Sequence, residues 1–319
     1  MEYTILGRTG EKVSRISLGT WSYGGANTVG KNQPIGWAGQ EDSDSRTALQ
    51  KAFSVGINHW DTADVYGDGR SEQIIGTLWD EIPRNDIFIA TKVGWDMGPH
   101  NHWYHPEHMR ANMERSLKNL KTDCVDLMYL HHCNFGKQEQ YFDDAVETIR
   151  RFQAEGKTRF IGLSDWASDR VMNFIERVDP DVIQPYRNVM DDTYEVTGLK
   201  NYVEANNLGI CFFSPIKHGL LTGKYKEPTT FETGDFRATV KEFTNQELIE
   251  KMQVNKEKLE EHFSDHPQPA MHGLVDALLT DVPTGCVLLG QRNVVQVEAA
   301  AQLGDALSIR ESGWVKSLY

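Results

Sequence analysis

Cysteine is scarce in this sequence: four in 319 residues, at positions 124, 133, 211 and 286, with no C-x-x-C among them. Such spacing offers neither a disulfide framework nor a zinc-ribbon pattern, and it predicts reduced thiols in a cytoplasmic protein. No apolar run approaches the roughly 20 residues that a membrane helix needs. The start, Met1-Glu2-Tyr3-Thr4, lacks the basic and apolar regions expected of a signal peptide. Positive charge is in short supply, with 33 Lys and Arg against 46 Asp and Glu, net −13. That surface repels nucleic acid and anionic membrane at long range, so neither is expected as a partner. A local basic pocket for a phosphate remains compatible with it. Internal sequence repeats are also lacking.

What is present is a recurring unit of pattern. Short apolar runs begin near Ile16, Ile57, Ile87, Asp126, Phe160, Asp181, Ile210 and Cys286. They are too short for helices, and most are bounded by Gly, Asp, Ser or Pro, so they read as buried parallel strands. Helical patterns lie between them. Pro106 opens one, with Met109, Met113, Leu117 and Leu120 on one face. Residues 141–157 form another that Gly156 closes. Residues 45–55, 169–178, 194–207 and 293–307 read in the same way. Strand–helix alternation eight times over predicts an α/β fold, a (β/α)8 TIM barrel; an open doubly wound sheet is the alternative pattern. The length suits one barrel, so residues 1–319 are expected to form a single domain. Two stretches fall outside the unit. Residues 3–19 hold a turn between two strand-like pieces, which suits an N-terminal β-hairpin closing the barrel bottom. Residues 217–263 are a long insertion after the seventh strand and are expected to shape the C-terminal rim.

One stretch asks for an explanation. "HWDTADVYGDGRSEQIIG", residues 59–76, puts aspartates and a tyrosine where a strand meets a loop. One reading is a phosphate cradle at Gly67-Asp68-Gly69. Glu72, however, stands where a dinucleotide fingerprint needs its next glycine. The glycines then read as turn residues before a helix with Ser71 as N-cap. The other reading is an active site. Asp61 ends strand two, Tyr66 follows, Lys92 ends strand three and His131 ends strand four. All four lie on the rim where barrel active sites form. A free tyrosine, with a pKa near ~10, is a poor acid at neutral pH. An ammonium beside it stabilises the phenolate, and a carboxylate keeps that ammonium charged. An imidazole can orient a carbonyl oxygen. The set suits protonation of a carbonyl oxygen whose carbon receives hydride.

Singly, these residues have blander readings: Asp61 as a cap, Tyr66 and Lys92 as rim residues. His131, His132 and Cys133 invite a metal, as do His100, His102 and His105, but without a consistent ligand set no metal is expected. The second group reads as a polar substrate loop. Trp21, Tyr23, Trp95 and Trp166 each follow a strand and, with His132, are expected to line a substrate wall. Phe236 and Arg237 in the insertion are placed to cover substrate or cofactor.

At these residues the sequence resembles the aldo-keto reductase superfamily. The stretches that carry the resemblance are "DTADVYG", "TKVG", "DLMYLHH", "GLSDW", "FFSPIKHGLLTGKY" and "GQRNVVQVEAA", preceded by "LGRTGEKVSRISLGTW". They stand in family order over nearly the whole chain. The N-terminal stretch and "LLTGKY" look most like the branch with bacterial reductases and potassium-channel β-subunits. The resemblance implies Tyr66 as general acid/base, with Asp61, Lys92 and His131 as partners. It implies a nicotinamide cofactor bound without a Rossmann domain. Ser164, Asp165 and Gln184 are implied near the carboxamide, and Phe213 on the nicotinamide ring. Ser214, Pro215, Ile216, Gly219 and Leu220 are implied along the pyrophosphate. Gly290, Gln291, Arg292 and Gln296 fall at the adenosine end, with Thr20, Trp21, Asp61 and Lys224 as further contacts. Four positions depart from the family pattern: Asp165 for asparagine, Phe213 for tyrosine, Arg187 inserted in "PYRNVM", and Ala300 where an asparagine often meets adenine. Arg292 is the candidate for a 2′-phosphate, which favours NADP(H) over NAD(H). The implied activity is hydride transfer between nicotinamide and a small aldehyde, ketone or sugar. The alternative is a cofactor-binding regulatory subunit with little turnover.

Overall fold

The computed structural model describes residues 1–29 and 32–319. In chain order, β1 (Tyr3–Ile5) and β2 (Lys12–Ser14) form an antiparallel hairpin, and β3 (Ile16–Gly19) follows. The pair β4 (Thr28–Val29) and β5 (Gln33–Pro34) is short and antiparallel. Then come β6 (His59–Asp61), β7 (Phe88–Val93), β8 (Val125–Leu130), β9 (Thr158–Asp165), β10 (Val182–Pro185), β11 (Gly209–Phe212) and β12 (Gly285–Gly290). Strand β3 and strands β6 to β12 run parallel and close into an eight-stranded barrel, with β12 pairing back to β3. Each of the eight apolar runs in the sequence supplies one of them. β7 and β8 are buried at every position, as strands covered on both faces must be.

Helices α1 (Asp42–Ser54), α2 (Arg70–Gly76), α3 (Pro106–Leu120), α4 (Phe142–Ala154) and α5 (Ser168–Val178) each follow a strand. Next are α6 (Thr193–Val196) and α7 (Leu199–Ala205), then α8 (Gln246–His262) and α9 (Pro269–Asp276) between β11 and β12. Helices α10 (Val294–Ala300) and α11 (Ile309–Leu318) complete the chain. The helix read over residues 194–207 is broken at Gly198, which takes φ +82° between α6 and α7. The helix read over 293–307 stops at Ala300; Gly304, at φ +112°, gives its N–H to Asp276 Oδ1 at 2.8 Å. Ser71 is not an N-cap. Gly69 precedes α2, and the Ser71 hydroxyl instead donates to Thr20 Oγ1 at 2.7 Å.

Two cores result. One fills the shell between barrel and helices; the other fills the barrel itself with Phe88, Ala90, Leu127, Tyr129, Val182, Cys211 and Cys286. The hairpin closes the bottom of the second, with Leu6 and Val13 wholly buried there. A Cβ on Gly7 would lie 2.1 Å from the backbone nitrogen of Gly209, so the hairpin turn seats only as glycine. These two plugs leave the C-terminal rim as the open end.

Candidate active site

Side chains alternate along a strand, so Asp61 points into the barrel two residues above His59. Asp61 and Lys92 sit on the neighbouring strands β6 and β7 and form a buried ion pair at the C-terminal rim. Both are about 1% exposed. Lys92 Nζ also donates to Thr62 O at 2.8 Å and reaches the Tyr66 hydroxyl at 3.4 Å. Gln184 Nε2 on β10 donates to the other Asp61 oxygen at 2.8 Å. The carboxylate is thus held from two sides, and Lys92 is held between carboxylate and phenol. Burial pushes the Lys92 ammonium toward losing its proton, but Asp61 and Tyr66 overcome that and its pKa stays above the usual lysine value. Burial raises the Tyr66 phenol to about 12, against the opposing pull of Lys92. Tyr66 therefore carries its proton at neutral pH. The sequence argument weighed only the ammonium; burial is the larger effect.

His131 completes the group. Its backbone N–H is fixed to Val93 O at 2.9 Å, and its ring meets the Tyr66 ring edge-on at 6.1 Å. Burial holds its pKa well below the ordinary histidine value, so the ring is neutral. Its Nδ1 is buried and has no partner within the protein. Beneath this group Thr20, Thr62 and Ser71 link hydroxyls, and Thr20 Oγ1 donates to Asp61 O at 2.8 Å.

Above Tyr66 opens a cavity of about 340 Å³ that runs to Arg292 and Gln296. Of the residues read from the sequence, Asp61, Tyr66, His131, His132, Trp21, Trp95, Trp166, Ser164, Asp165 and Gln184 line one end. Phe213, Ser214, Pro215, Ile216, Gly219, Lys224, Gly290, Arg292 and Gln296 line the rest. Ser214, Lys217, His218 and Gly219 all take positive φ, so this segment coils tightly along the wall. Within it Lys217 and Gly219 give their N–H groups to Ser214 O at 3.1 Å and Ile216 O at 2.9 Å.

Five expected residues do not reach the cavity. Tyr23 is wholly buried, and its hydroxyl donates to Gln291 O at 2.6 Å, so it is core rather than substrate wall. Gln291 itself turns inward, with Nε2 on Ser17 O at 3.2 Å. Thr20 serves the hydroxyl network, Leu220 is 1% exposed in the core, and Lys92 stands behind Asp61 and Tyr66. His100, His102 and His105 also miss the cavity. Gly67 packs its backbone on Gly24, where a Cβ would lie 2.3 Å from Gly24 O; it is a close-contact glycine, not a phosphate cradle. Arg187 is a buried strut between the rings of Tyr194 and Phe212, paired with Glu195.

Two departures from the family pattern have local explanations. Asp165 Oδ2 accepts the Cys133 N–H at 2.7 Å, and Oδ1 accepts the Ala167 N–H at 3.0 Å. A carboxylate needs no amide hydrogen for that task. Phe213 meets Trp166 edge-on at 4.8 Å.

Several lining residues carried no signal in the sequence. Trp37 and His218 come from loops, Met271 from α9 and Leu288 from β12, and they gather only in the fold. Gly36 pairs with the 230s loop: its N–H donates to Gly234 O at 3.0 Å, and Phe236 N–H donates to Gly36 O at 2.9 Å. Asp235 binds Arg237 in a two-pronged pair at 2.6 and 2.9 Å and accepts the Ala38 N–H at 3.0 Å. Arg292 donates to Gln40 Oε1 at 2.8 Å, to Ala38 O at 3.1 Å and to Gly39 O. The 36–40 segment is thereby clasped over the cavity from both sides.

The aldo/keto reductase family profile matches residues 15–314. An aldo-keto reductase of Bacillus subtilis is 29% identical over 306 residues, 95% of this chain and 88% of that one. A probable voltage-gated potassium channel β-subunit of rice, Oryza sativa, is 28% identical over 234 residues, 70% of this chain and 67% of its own length. The solved structure of a glycerol dehydrogenase from Gluconobacter oxydans superposes with a TM-score of 0.79 at 28% identity, covering 99% of this chain and 94% of that one. No helix among the described residues is long and apolar enough to cross a membrane. With residues 15–314 matched by the family profile and nearly its whole length superposed, the chain belongs to the aldo/keto reductase family, whose members are oxidoreductases that use a nicotinamide cofactor.

Proposed function

We propose that the protein is an NADP(H)-dependent carbonyl reductase in which Tyr66 is the general acid, and the general base when the reaction runs backwards. The observation that carries this reading is Lys92 held between Asp61 and the Tyr66 hydroxyl at the closed end of the cavity. A nicotinamide held along the cavity by Phe213, Ser164 and Gln184 would supply the hydride for the carbonyl carbon. Tyr66 hands its proton to the carbonyl oxygen as negative charge grows there, and the Lys92 ammonium stabilises the phenolate left behind. Asp61 keeps Lys92 charged. Neutral His131, which lines the cavity beside Tyr66, orients the oxygen.

The residues fit a phosphorylated dinucleotide. Phe213, Ser164 and Gln184 stand at the nicotinamide end; Ser214, Pro215, Ile216 and Gly219 at the pyrophosphate; Gly290, Arg292 and Gln296 at the adenosine. The acidic residues that line the cavity, Asp61 and Asp165, sit at the nicotinamide end, while Lys224 and Arg292 line the other. NAD-specific sites commonly set a carboxylate against the ribose hydroxyl; the cations here favour a 2′-phosphate.

The substrate is an uncharged aldehyde or ketone, a sugar included. Trp21 stacks on Tyr66, Trp95 meets His131 edge-on and Trp166 packs against Trp21, and the cation at that end, Arg237, is neutralised by Asp235. Glycerol, the alcohol for which the Gluconobacter enzyme is named, is likewise small and uncharged.

The test is NADPH oxidation with a panel of carbonyls, wild type beside Tyr66→Phe. Turnover is expected to fall about 100-fold or more, the usual worth of a general acid, with NADPH affinity within about threefold of wild type. Comparable turnover in the variant sinks the mechanism. If wild type binds NADPH tightly but turns over no carbonyl, the regulatory-subunit reading replaces it.

A further inference from the structure

We infer that His59, Cys211 and Cys286 form a site for a thiophilic divalent cation of the zinc class inside the barrel, with the Ser17 hydroxyl beside it. None of these residues serves the hydride chemistry. His59 lies on β6 two residues below Asp61, roughly 7 Å down the strand at ~3.3 Å per residue. Ser17 is on β3, Cys211 on β11 and Cys286 on β12. Three of these strands are consecutive around the barrel and β6 follows them, so four side chains converge on one interior point. All four are 0% exposed.

The geometry suits coordination. Cys211 and Cys286 are register partners on adjacent parallel strands. Their sulfurs and one ring nitrogen of His59 lie within 4.8 Å of one another. Cys286 Sγ is 3.5 Å from His59 Nδ1, and Ser17 Oγ is 2.8 Å from the same nitrogen. A tetrahedral zinc with Zn–N of ~2.0–2.1 Å and Zn–S of ~2.3 Å has an N···S edge of about 3.5 Å. The spacing of His59 and Cys286 thus matches a zinc edge once the Ser17 hydroxyl turns away from Nδ1.

Charge points to a divalent ion. An uncompensated charge is costly in a barrel core otherwise filled by Phe88, Leu127 and Val182. Two thiolates and a neutral imidazole cancel two positive charges, and a serine hydroxyl adds none. Each thiol gives up one proton on binding, so two protons leave to solvent and no electron moves. The hydrogen of His59 then stands on Nε2, which is buried and has no partner in the protein.

The other two clusters of potential ligands among the described residues fail on ring orientation or on competition from backbone groups; at His59 the one competitor, the Ser17 hydroxyl, can rotate toward the metal. His100 and His105 stack face to face at 4.1 Å, so their in-plane lone pairs point past one another. In the third, His266 spends one nitrogen on Gln302 O at 3.1 Å and the other on the Gln268 N–H at 3.0 Å.

The experiment uses the full chain carrying Cys124→Ser and Cys133→Ser, in which Cys211 and Cys286 are the remaining thiols. The site is enclosed, so the chain is refolded with Co²⁺ or Zn²⁺ and then freed of loose metal by gel filtration. One metal per chain is expected, with a thiolate-to-cobalt charge-transfer band in the near ultraviolet. Adding Cys286→Ser should weaken retention at least tenfold. Metal below about a tenth per chain, no sulfur band, or undiminished retention after Cys286→Ser overturns the site. Should the serine variants not fold, cadmium NMR of refolded wild type decides: one resonance in the two-sulfur range supports the site, and its absence overturns it.

Discussion

The two ends of the cavity are built in different ways. At the catalytic end, Asp61, Lys92 and Gln184 sit on strands, and His131 follows one directly. They are buried, and Asp61 is tied from two sides. At the other end, proposed for adenosine, Arg292 and Gln296 sit after β12 and at the start of α10, and a loop segment, residues 36–40, is clasped onto Arg292. Chemistry demands fixed distances, so it is carried by the sheet; a long cofactor must enter and leave, so its far end is held by loops. The same contrast separates what mutation should do at each end.

The largest effect is expected at the strand end. Lys92→Met leaves the Asp61 carboxylate buried without its cation, which costs about 3–5 kcal/mol of stability. It also removes the charge that supports the phenolate, so turnover should fall about 100-fold or more. Steady-state kinetics and denaturant melts read the two losses separately. An intact rate in a folded Lys92→Met protein breaks the assignment.

Arg292→Ala tests the loop end. NADPH affinity should fall about 10- to 50-fold, the worth of a charge-assisted contact, while NADH affinity changes little. Fluorescence titration with both cofactors checks it. Equal losses for the two mean that Arg292 works through its clasp on Gln40, Ala38 and Gly39 rather than through a phosphate.

A pH profile sharpens the catalytic end further. With the Tyr66 phenol held near 12, reduction should be flat across neutral pH, because the acid stays protonated. Alcohol oxidation needs the phenolate and should rise by about tenfold per pH unit between about 7 and 9, where the phenolate fraction grows in that proportion. A flat oxidation profile at saturating substrate removes Tyr66 as the titrating group.

The smallest effect on turnover is expected behind the loop that carries Tyr66, where the change falls on stability instead. Asp64 is wholly buried; Asn112 donates to Oδ2 at 2.8 Å, while Oδ1 has no partner within the protein. Burial raises its carboxyl to about 8. The folded state then keeps a proton that the unfolded chain releases near pH ~4. This group's contribution to stability is therefore full below about pH 4 and is lost as pH rises through about 8. Asp64→Asn should flatten that fall, seen in melting temperatures taken across the range, with reductase activity retained.

Much of the catalytic end was legible beforehand because it is local. Each apolar run ends in a polar residue, and where a barrel strand ends, the rim begins. Asp61, Lys92 and His131 follow from that alone, and the turn after β6 brings Tyr66 back to them. The family resemblance then picked out most of the residues that line the rest of the cavity. Tyr23 and Ser71 show the limit: both follow the right local rule, but the side chain's direction depends on neighbours far along the chain, Gln291 for one and Thr20 for the other.

By itself the sequence determined the eight strands, their parallel order and the four groups at the rim, because period and chain order suffice for these. Only the tertiary structure decided that burial outweighs Lys92 at Tyr66. It alone decided that Arg292 is clasped by residues 38–40, and that two cysteines far apart in the chain meet a histidine inside the barrel. Desolvation and long-range contact depend on what packs around a residue, and no local pattern records that.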